Sequence, residues 1–141
     1  MSFDKIMAIG GSGISAQLVR MNATASNLAN AGVVAPTEDG AFRSQRAVFT
    51  ALRTGETAGG FCELVGGVKV EAIVDDLKPI AKVFEPGNPQ ADLEGYVFQS
   101  NVSEVEELIE MLDASRSYQN NVEVVSTAKE LMIRTLDIIK V

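Results

Sequence analysis

The chain has 141 residues, 46% of them apolar, no tryptophan and a formal net charge of −7. That supports one modest core, and with no basic cluster to hold phosphates nucleic acid is not an expected partner. There is no histidine and only one cysteine, Cys62, so the commonest general base, the commonest metal ligand, a disulfide framework and a paired-thiol zinc site are all missing.

The start, Met1-Ser2-Phe3-Asp4-Lys5, lacks the basic region and long apolar run of a secretory signal, and no stretch is long enough to span a bilayer. An N-terminal helix is expected instead. Met7, Gly11, Ile14, Leu18, Met21, Ala25 and Leu28 recur at spacings of four and three, a heptad seam facing one partner surface. Ala16, Ala23, Ala29 and Ala31 lie on other faces, where they allow other helices to approach closely. Gly10, Gly11 and Gly13 each weaken the free helix by roughly 1 kcal/mol relative to alanine, so this segment is expected to order against a partner. Gly32 stops it and Pro36 prevents resumption.

The middle changes period. Val68, Val70, Ala72 and Val74 alternate with Lys69, Glu71 and Asp75 as one strand, although Ile73 breaks the polar face, and Ile80, Lys82 and Phe84 alternate with Ala81, Val83 and Glu85 as a second. Asp76-Leu77-Lys78-Pro79 between them predicts a β-hairpin. Phe42 to Leu52 and Gly95 to Gln99 are weaker strand signals, while Pro36–Gly40 and Thr54–Gly60 read as connectors. Cys62 reads as a small buried apolar residue, since no cationic neighbourhood marks it as reactive.

From Ser103 to Val141 the chain reads as one amphipathic helix. Ser103 with Glu106 forms a capping-box pattern, and Glu104 and Glu107 place further negative charge at the positive end of the helix dipole, with Arg134 and Lys140 at the other end. These acids and Glu110 read as a solvated face. Leu108, Met111, Leu112, Tyr118, Val122, Val125, Met132, Leu136 and Ile139 make one apolar stripe; Val124, Ala128, Leu131, Thr135 and Ile138 make a second beside it. At roughly 1.5 Å per residue the helix spans about 55 Å, which predicts an elongated molecule. The expected fold is α+β, with elongated N- and C-terminal helices (1–35 and 101–141) paired as an antiparallel coiled coil. A small β-hairpin-rich region, 36–100, lies between them.

Gly11-Ser12-Gly13-Ile14-Ser15-Ala16 matches G-x-G-x-x-[GA], but a dinucleotide site needs that turn between a buried strand and a helix. Lys5–Ile9 is a poor strand and the heptad runs straight through the glycines. No catalytic, cofactor-binding or metal site is expected.

Ala25-Ser26-Asn27-Leu28-Ala29-Asn30 resembles the A-S-N-[IL]-A-N signature near the N-terminus of the bacterial flagellar axial proteins, the rod, hook and hook-associated family. Ser115 to Val122, followed by Ala128-Lys129 and Leu136-Asp137-Ile138, is similar to its C-terminal signature. The run Phe84-Glu85-Pro86-Gly87-Asn88-Pro89-Gln90-Ala91-Asp92-Leu93-Glu94-Gly95-Tyr96-Val97, with Asn101-Val102 after it, looks like a proximal rod protein, and Phe42-Arg43-x-Gln45 fits as well. The chain departs from the usual pattern at Gly32-Val33, at Asn88 where histidine is frequent, and at Ser100 where proline is frequent.

The resemblance implies a structural subunit of the flagellar basal-body rod, the hollow helical drive shaft that crosses the periplasm and transmits torque toward the hook. It implies export through the flagellar type III apparatus, and as partners other copies of the chain and neighbouring rod proteins. It implies an assembly interface on the terminal helices, with Ile14, Leu18, Met21, Ala25 and Leu28 packing against Val122, Val125, Met132 and Leu136, and Leu131 on the second stripe toward the next subunit. Asn27, Asn30, Tyr118 and Asn121 are then expected to fix register, and the loop bearing Pro86, Gly87, Pro89 and Tyr96 to contact a neighbour. Two other readings of the residues stay open: a cytoplasmic coiled-coil adaptor and a nucleotide-binding enzyme.

Overall fold

The structure is a computed structural model describing residues 3–52 and 66–139. Cys62 and the Thr54–Gly60 connector lie outside those residues. In chain order the elements are α1 (Phe3–Ala29), β1 (Val34–Ala35), β2 (Gln45–Ala51), β3 (Val68–Asp75), β4 (Ala81–Phe84), β5 (Tyr96–Gln99) and α2 (Glu104–Ile139). The α+β class and the antiparallel pairing of the terminal helices are as expected. So are the two weaker strands, which are β2 and β5.

The predicted hairpin is not formed. β3 pairs with β2 in a two-stranded sheet, whereas β4 pairs with β5 in a three-stranded sheet of order β1-β5-β4. The polar groups of the connector between β3 and β4 are bonded within it and to Asn101. Asp76 Oδ1 accepts the Lys78 N–H at 3.0 Å, and Asn101 Nδ2 donates to the carbonyls of Asp76 and Lys78 at 3.0 and 3.2 Å. Pro79 has no N–H to give a ladder. The hairpin that does form is β4–β5, in the antiparallel register Ala81↔Gln99 to Phe84↔Tyr96.

Contacts divide the chain into two units, and each helix contributes to both. One unit comprises Met1–Val19, Val48–Ala72 and Asp113–Val141. In it the helices meet through small residues. A Cβ added at Gly10 would lie 2.5 Å from Val125 Cγ2, and one at Gly13 would lie 2.9 Å from Asn121 Nδ2. Ser12 ties the start of β3 to α1: its hydroxyl donates to the Ile9 carbonyl at 2.7 Å and accepts the Val68 N–H at 3.1 Å. Gly67, at φ +111°, lets the strand pass so close that a Cβ there would lie 2.9 Å from Ser12 Oγ.

The other unit comprises Arg20–Ala47 and Ile73–Leu112. Its centre is Val97, fully buried on β5. Ser100 closes one edge, its hydroxyl donating to the Ala31 carbonyl at 2.6 Å and its N–H to Val33 O at 3.1 Å. The proline frequent at this position in the family could make neither bond.

On α1 the seam positions differ from the expectation by one residue. On α1, Gly10, Gly13, Gln17, Arg20, Thr24 and Asn27 are buried or half-buried at alternating spacings of three and four; on α2 the set is Glu107, Met111, Ala114, Tyr118, Asn121, Val125, Ala128 and Met132. The expected heptad through Ile14, Leu18, Met21, Ala25 and Leu28 stands one position further on, a rotation of about 100°. The reason is steric: at Gly10 and Gly13 not even a Cβ fits, so leucine-sized residues turn off the contact. The glycines of the G-x-G-x-x-[GA] match lie inside α1 and open no turn after a strand, which removes the dinucleotide reading.

The glycines yield opposite predictions. Gly10→Ala collides with Val125 and should lower stability by about 1–3 kcal/mol, despite the gain in helix propensity. Gly11→Ala meets nothing within 4 Å and should raise stability by about 0.5–1 kcal/mol. Denaturation of the two variants followed by circular dichroism checks both signs.

Candidate functional site

The family-like Asn27 sits at the centre of a buried polar cluster. Its side chain is wholly buried and pairs with a backbone as a strand would: Oδ1 accepts the Gln45 N–H at 2.8 Å while Nδ2 donates to Gln45 O at 2.9 Å. Nδ2 also lies 3.1 Å from Ser44 Oγ and 3.0 Å from Glu107 Oε2. Ser44 Oγ donates to Glu107 Oε1 at 3.2 Å, and Arg46 Nη2 stands 3.1 Å from that oxygen. At 1% exposure Glu107 is a buried charge, stabilised by one cation and two neutral donors. Next along α2, Glu110 takes Arg20 from α1.

Glu107 was read as a solvated acid, and that reading is corrected. Continuing the α2 heptad back from Ala114 and Met111 reaches Glu107, whereas Glu104 and Glu106 fall on exposed faces. Glu106 faces Lys78 at 3.4 Å. The spacing was therefore a usable signal for Glu107. Ser44 and Asn101 carried none, because their roles depend on where the connectors run; Asn101 Oδ1 accepts the Ser44 N–H at 2.7 Å.

The other expected residues fall into groups. Asn30 donates to Ser26 O at 2.8 Å within its own turn. Asn121 and Val125 face the α1 glycines, with Tyr118 and Met132 half-buried on the same seam. Leu18 (49% exposed), Val122 (41%), Leu131 (50%) and Leu136 (52%) point outward, as does Ala25, while Ile14, Met21 and Leu28 are half-buried. A largely apolar cleft of about 280 Å³ between Phe3 and Ile6 of α1 and Val124, Thr127, Ala128 and Leu131 of α2 opens on the second stripe.

Pro86, Gly87 and Pro89 are exposed on a loop tied to itself. Asp92 Oδ1 accepts the N–H groups of Glu94 and Tyr96 at 2.8 and 2.9 Å, and Asn88 Oδ1 accepts that of Gln90 at 3.0 Å. Gly95, at φ +82°, turns the chain back so that Glu85 N–H donates to Gly95 O at 2.9 Å. Tyr96 packs edge-on against Phe84, ring centres 5.1 Å apart, under the Lys82 ammonium at 4.4 Å. Leu93, at the tip, is fully exposed.

Paired terminal helices with apolar residues outward and two small sheets in the intervening chain define a class, the α+β assembly subunit. Comparison with known proteins gives the family. The model described as "Flagella basal body rod protein" matches residues 7–35, and that described as "Flagellar basal body rod FlgEFG protein C-terminal" matches 93–138. The flagellar basal-body rod protein FlgC of Yersinia enterocolitica is 44% identical over 137 residues, 96% of this chain and 97% of that one. Those of Salmonella typhimurium (42%, covering 96% and 97%) and of Buchnera aphidicola subsp. Schizaphis graminum (43%, covering 98% of each) are similar over the same span. The chain belongs to the FlgC family of flagellar basal-body rod proteins.

The Asp92 loop carries a pH dependence. The Tyr96 N–H, first among the groups holding the carboxylate ionised, with those of Glu94 and Gly95 and the Lys82 charge, sets its pKa below the ordinary aspartate value. A lowered folded-state pKa means the loop gains stability above the unfolded value and loses it as pH falls through the folded one. Protection of the Glu94 and Tyr96 amides, taken relative to their intrinsic exchange rates, should therefore be greatest at neutral pH and fall on acidification below the usual carboxylate range. Asp92→Asn should flatten that profile.

Proposed function

We propose that this chain is a structural subunit of the flagellar basal-body rod, built into a hollow helical shaft across the periplasm that transmits torque toward the hook, and that it works without catalysis or a bound cofactor. One observation carries the reading beyond family membership. The helix pair closes on glycines and alanines, so the large apolar residues Leu18, Val122, Leu131 and Leu136 are left on outer faces of the helices. Exposed apolar faces of this kind mark interaction surfaces. An open helical array needs heterologous contacts between unlike surfaces, and two stripes on one helix supply them.

In this reading the assembly interface comprises the stripe of Ile14, Leu18, Met21, Ala25 and Leu28 on α1, of which Leu18 and Ala25 are exposed and the rest half-buried, with Val122, Leu131 and Leu136 on α2. The self-tied loop of Pro86, Gly87 and Pro89 meets a neighbour. Asn27, Tyr118, Asn121, Val125 and Met132 serve assembly indirectly by holding the two helices in register. Partners are other copies and the adjoining rod proteins, with the type III export apparatus in transit and no role for nucleic acid.

Purified, detergent-extracted basal bodies probed by mass spectrometry test the reading. The chain should be present in fixed proportion and resist washes that strip loosely held proteins; its clean absence from intact basal bodies would overturn it. Leu18→Asp tests the surface. Half-exposed, it should change stability by less than about 0.5 kcal/mol, yet leave no rod. Normal rods containing the variant would remove Leu18 from the interface.

A further inference from the structure

We propose that the outer face of the β4–β5 hairpin and the tip of its loop dock a basic segment of a neighbouring protein, not a second copy of this chain. The inference rests on the rod reading for there being a neighbour, and it gives that neighbour a chemistry.

Register builds the face. Lys82 stands opposite Phe98 and Phe84 opposite Tyr96, so these four side chains share one side of the hairpin. Val97, between Tyr96 and Phe98, is buried on the other. The shared side is open: Phe84 is 60% exposed, and Tyr96 and Phe98 are half-buried. Beyond it Leu93 stands fully exposed at the loop tip, and Glu85, Asp92 and Glu94 make the same loop acidic. Aromatic faces beside carboxylates suit a cation. The chain's own ammonium sits in such a place. Lys82 Nζ lies 4.4 Å from the Tyr96 ring centre and 5.7 Å from that of Phe98, and 3.8 and 3.9 Å from Asp92 Oδ2 and Glu94 Oε2. One ammonium against three carboxylates leaves the rim of this face negative.

Charge decides whose segment it is. The unit of Arg20–Ala47 and Ile73–Leu112 holds eleven acids and five bases, a net of −6 out of the chain's −7. Each of those bases already faces an acid of its own unit: Arg20 with Glu110, Arg43 with Glu38, Arg46 with Glu107, Lys78 with Glu106 and Lys82 with Asp92. The other unit carries the remaining −1. Neither unit of a second copy therefore brings net positive charge to the face, and this unit set against its own copy is repelled. A basic partner is attracted by the same field. Phe84 and Leu93 add apolar area for that partner to cover.

A photoreactive benzoylphenylalanine in place of Leu93, in the full-length chain assembled into basal bodies, reports what stands over the tip. Mass spectrometry of the adduct should identify a protein of different sequence, joined through a segment rich in lysine or arginine. Glu85→Lys with Glu94→Lys reverses two exposed charges and leaves Asp92 with its backbone N–H donors. That pair should cut the adduct yield severalfold, and the milder Glu94→Gln should cut it less. The proposal is overturned by an adduct between two copies, by an adduct through a segment without basic residues, or by an unchanged yield in the double variant. It is equally overturned by no adduct in basal bodies that contain the labelled chain. Absence of the chain from intact basal bodies is a different result, which removes the rod reading itself and this inference with it.

Discussion

A carboxylate at 1% exposure is the constraint on which much of this structure turns. Burying an ionised group costs several kcal/mol unless charge and hydrogen bonds replace its water. Glu107 obtains that replacement from three segments at once: Asn27 on the N-terminal helix, Ser44 before β2 and Arg46 within it. None is a sequence neighbour of Glu107. The carboxylate therefore makes the N-terminal helix, the C-terminal helix and the intervening chain depend on one another. Removing any one donor weakens that compensation, which is more damaging at a buried charge than losing an exposed pair. Asn101 extends the dependence, since it accepts from Ser44 and donates to the turn between β3 and β4.

Much of the architecture was legible in the sequence. Two long helices at the ends and strands near β2, β3, β4 and β5 followed from period and composition, whereas the two-residue β1 did not. The errors have definite causes. The β3–β4 hairpin was inferred from a plausible turn, yet Asp76 and Asn101 bond that turn's polar groups, and β4 finds β5 across an eleven-residue loop built on Asp92 and Gly95. Pairing partners are a tertiary property that strand period does not carry.

The seam error is more instructive. On α1 hydrophobic periodicity located a heptad but assigned its large residues to the intramolecular contact, where Gly10, Gly13, Gln17, Arg20, Thr24 and Asn27 stand instead. The backbones draw too close for them. Glycine and alanine are invisible to a count of large apolar side chains, although three glycines in one helical turn signal close approach as readily as they signal weakness. Glu107 was hidden for a related reason: an acid near a helix start has a ready dipole explanation, and only the continued heptad places it inside.

The division of labour between the faces follows from size. The α1 side of the seam, with Gly10, Gly13, Gln17, Arg20, Thr24 and Asn27, offers little apolar surface to bury. Larger apolar side chains sit on outer surfaces at Leu18, Val122, Leu131 and Leu136. A chain arranged this way gains more from being covered than from folding alone. That balance suits a subunit whose final stability comes from its neighbours, because association then completes burial that the isolated helix pair leaves undone. The polar cluster complements it: hydrogen bonds are directional where apolar contact is not, so the cluster constrains how the helices meet, while the exposed leucines and valines stay on their outer faces.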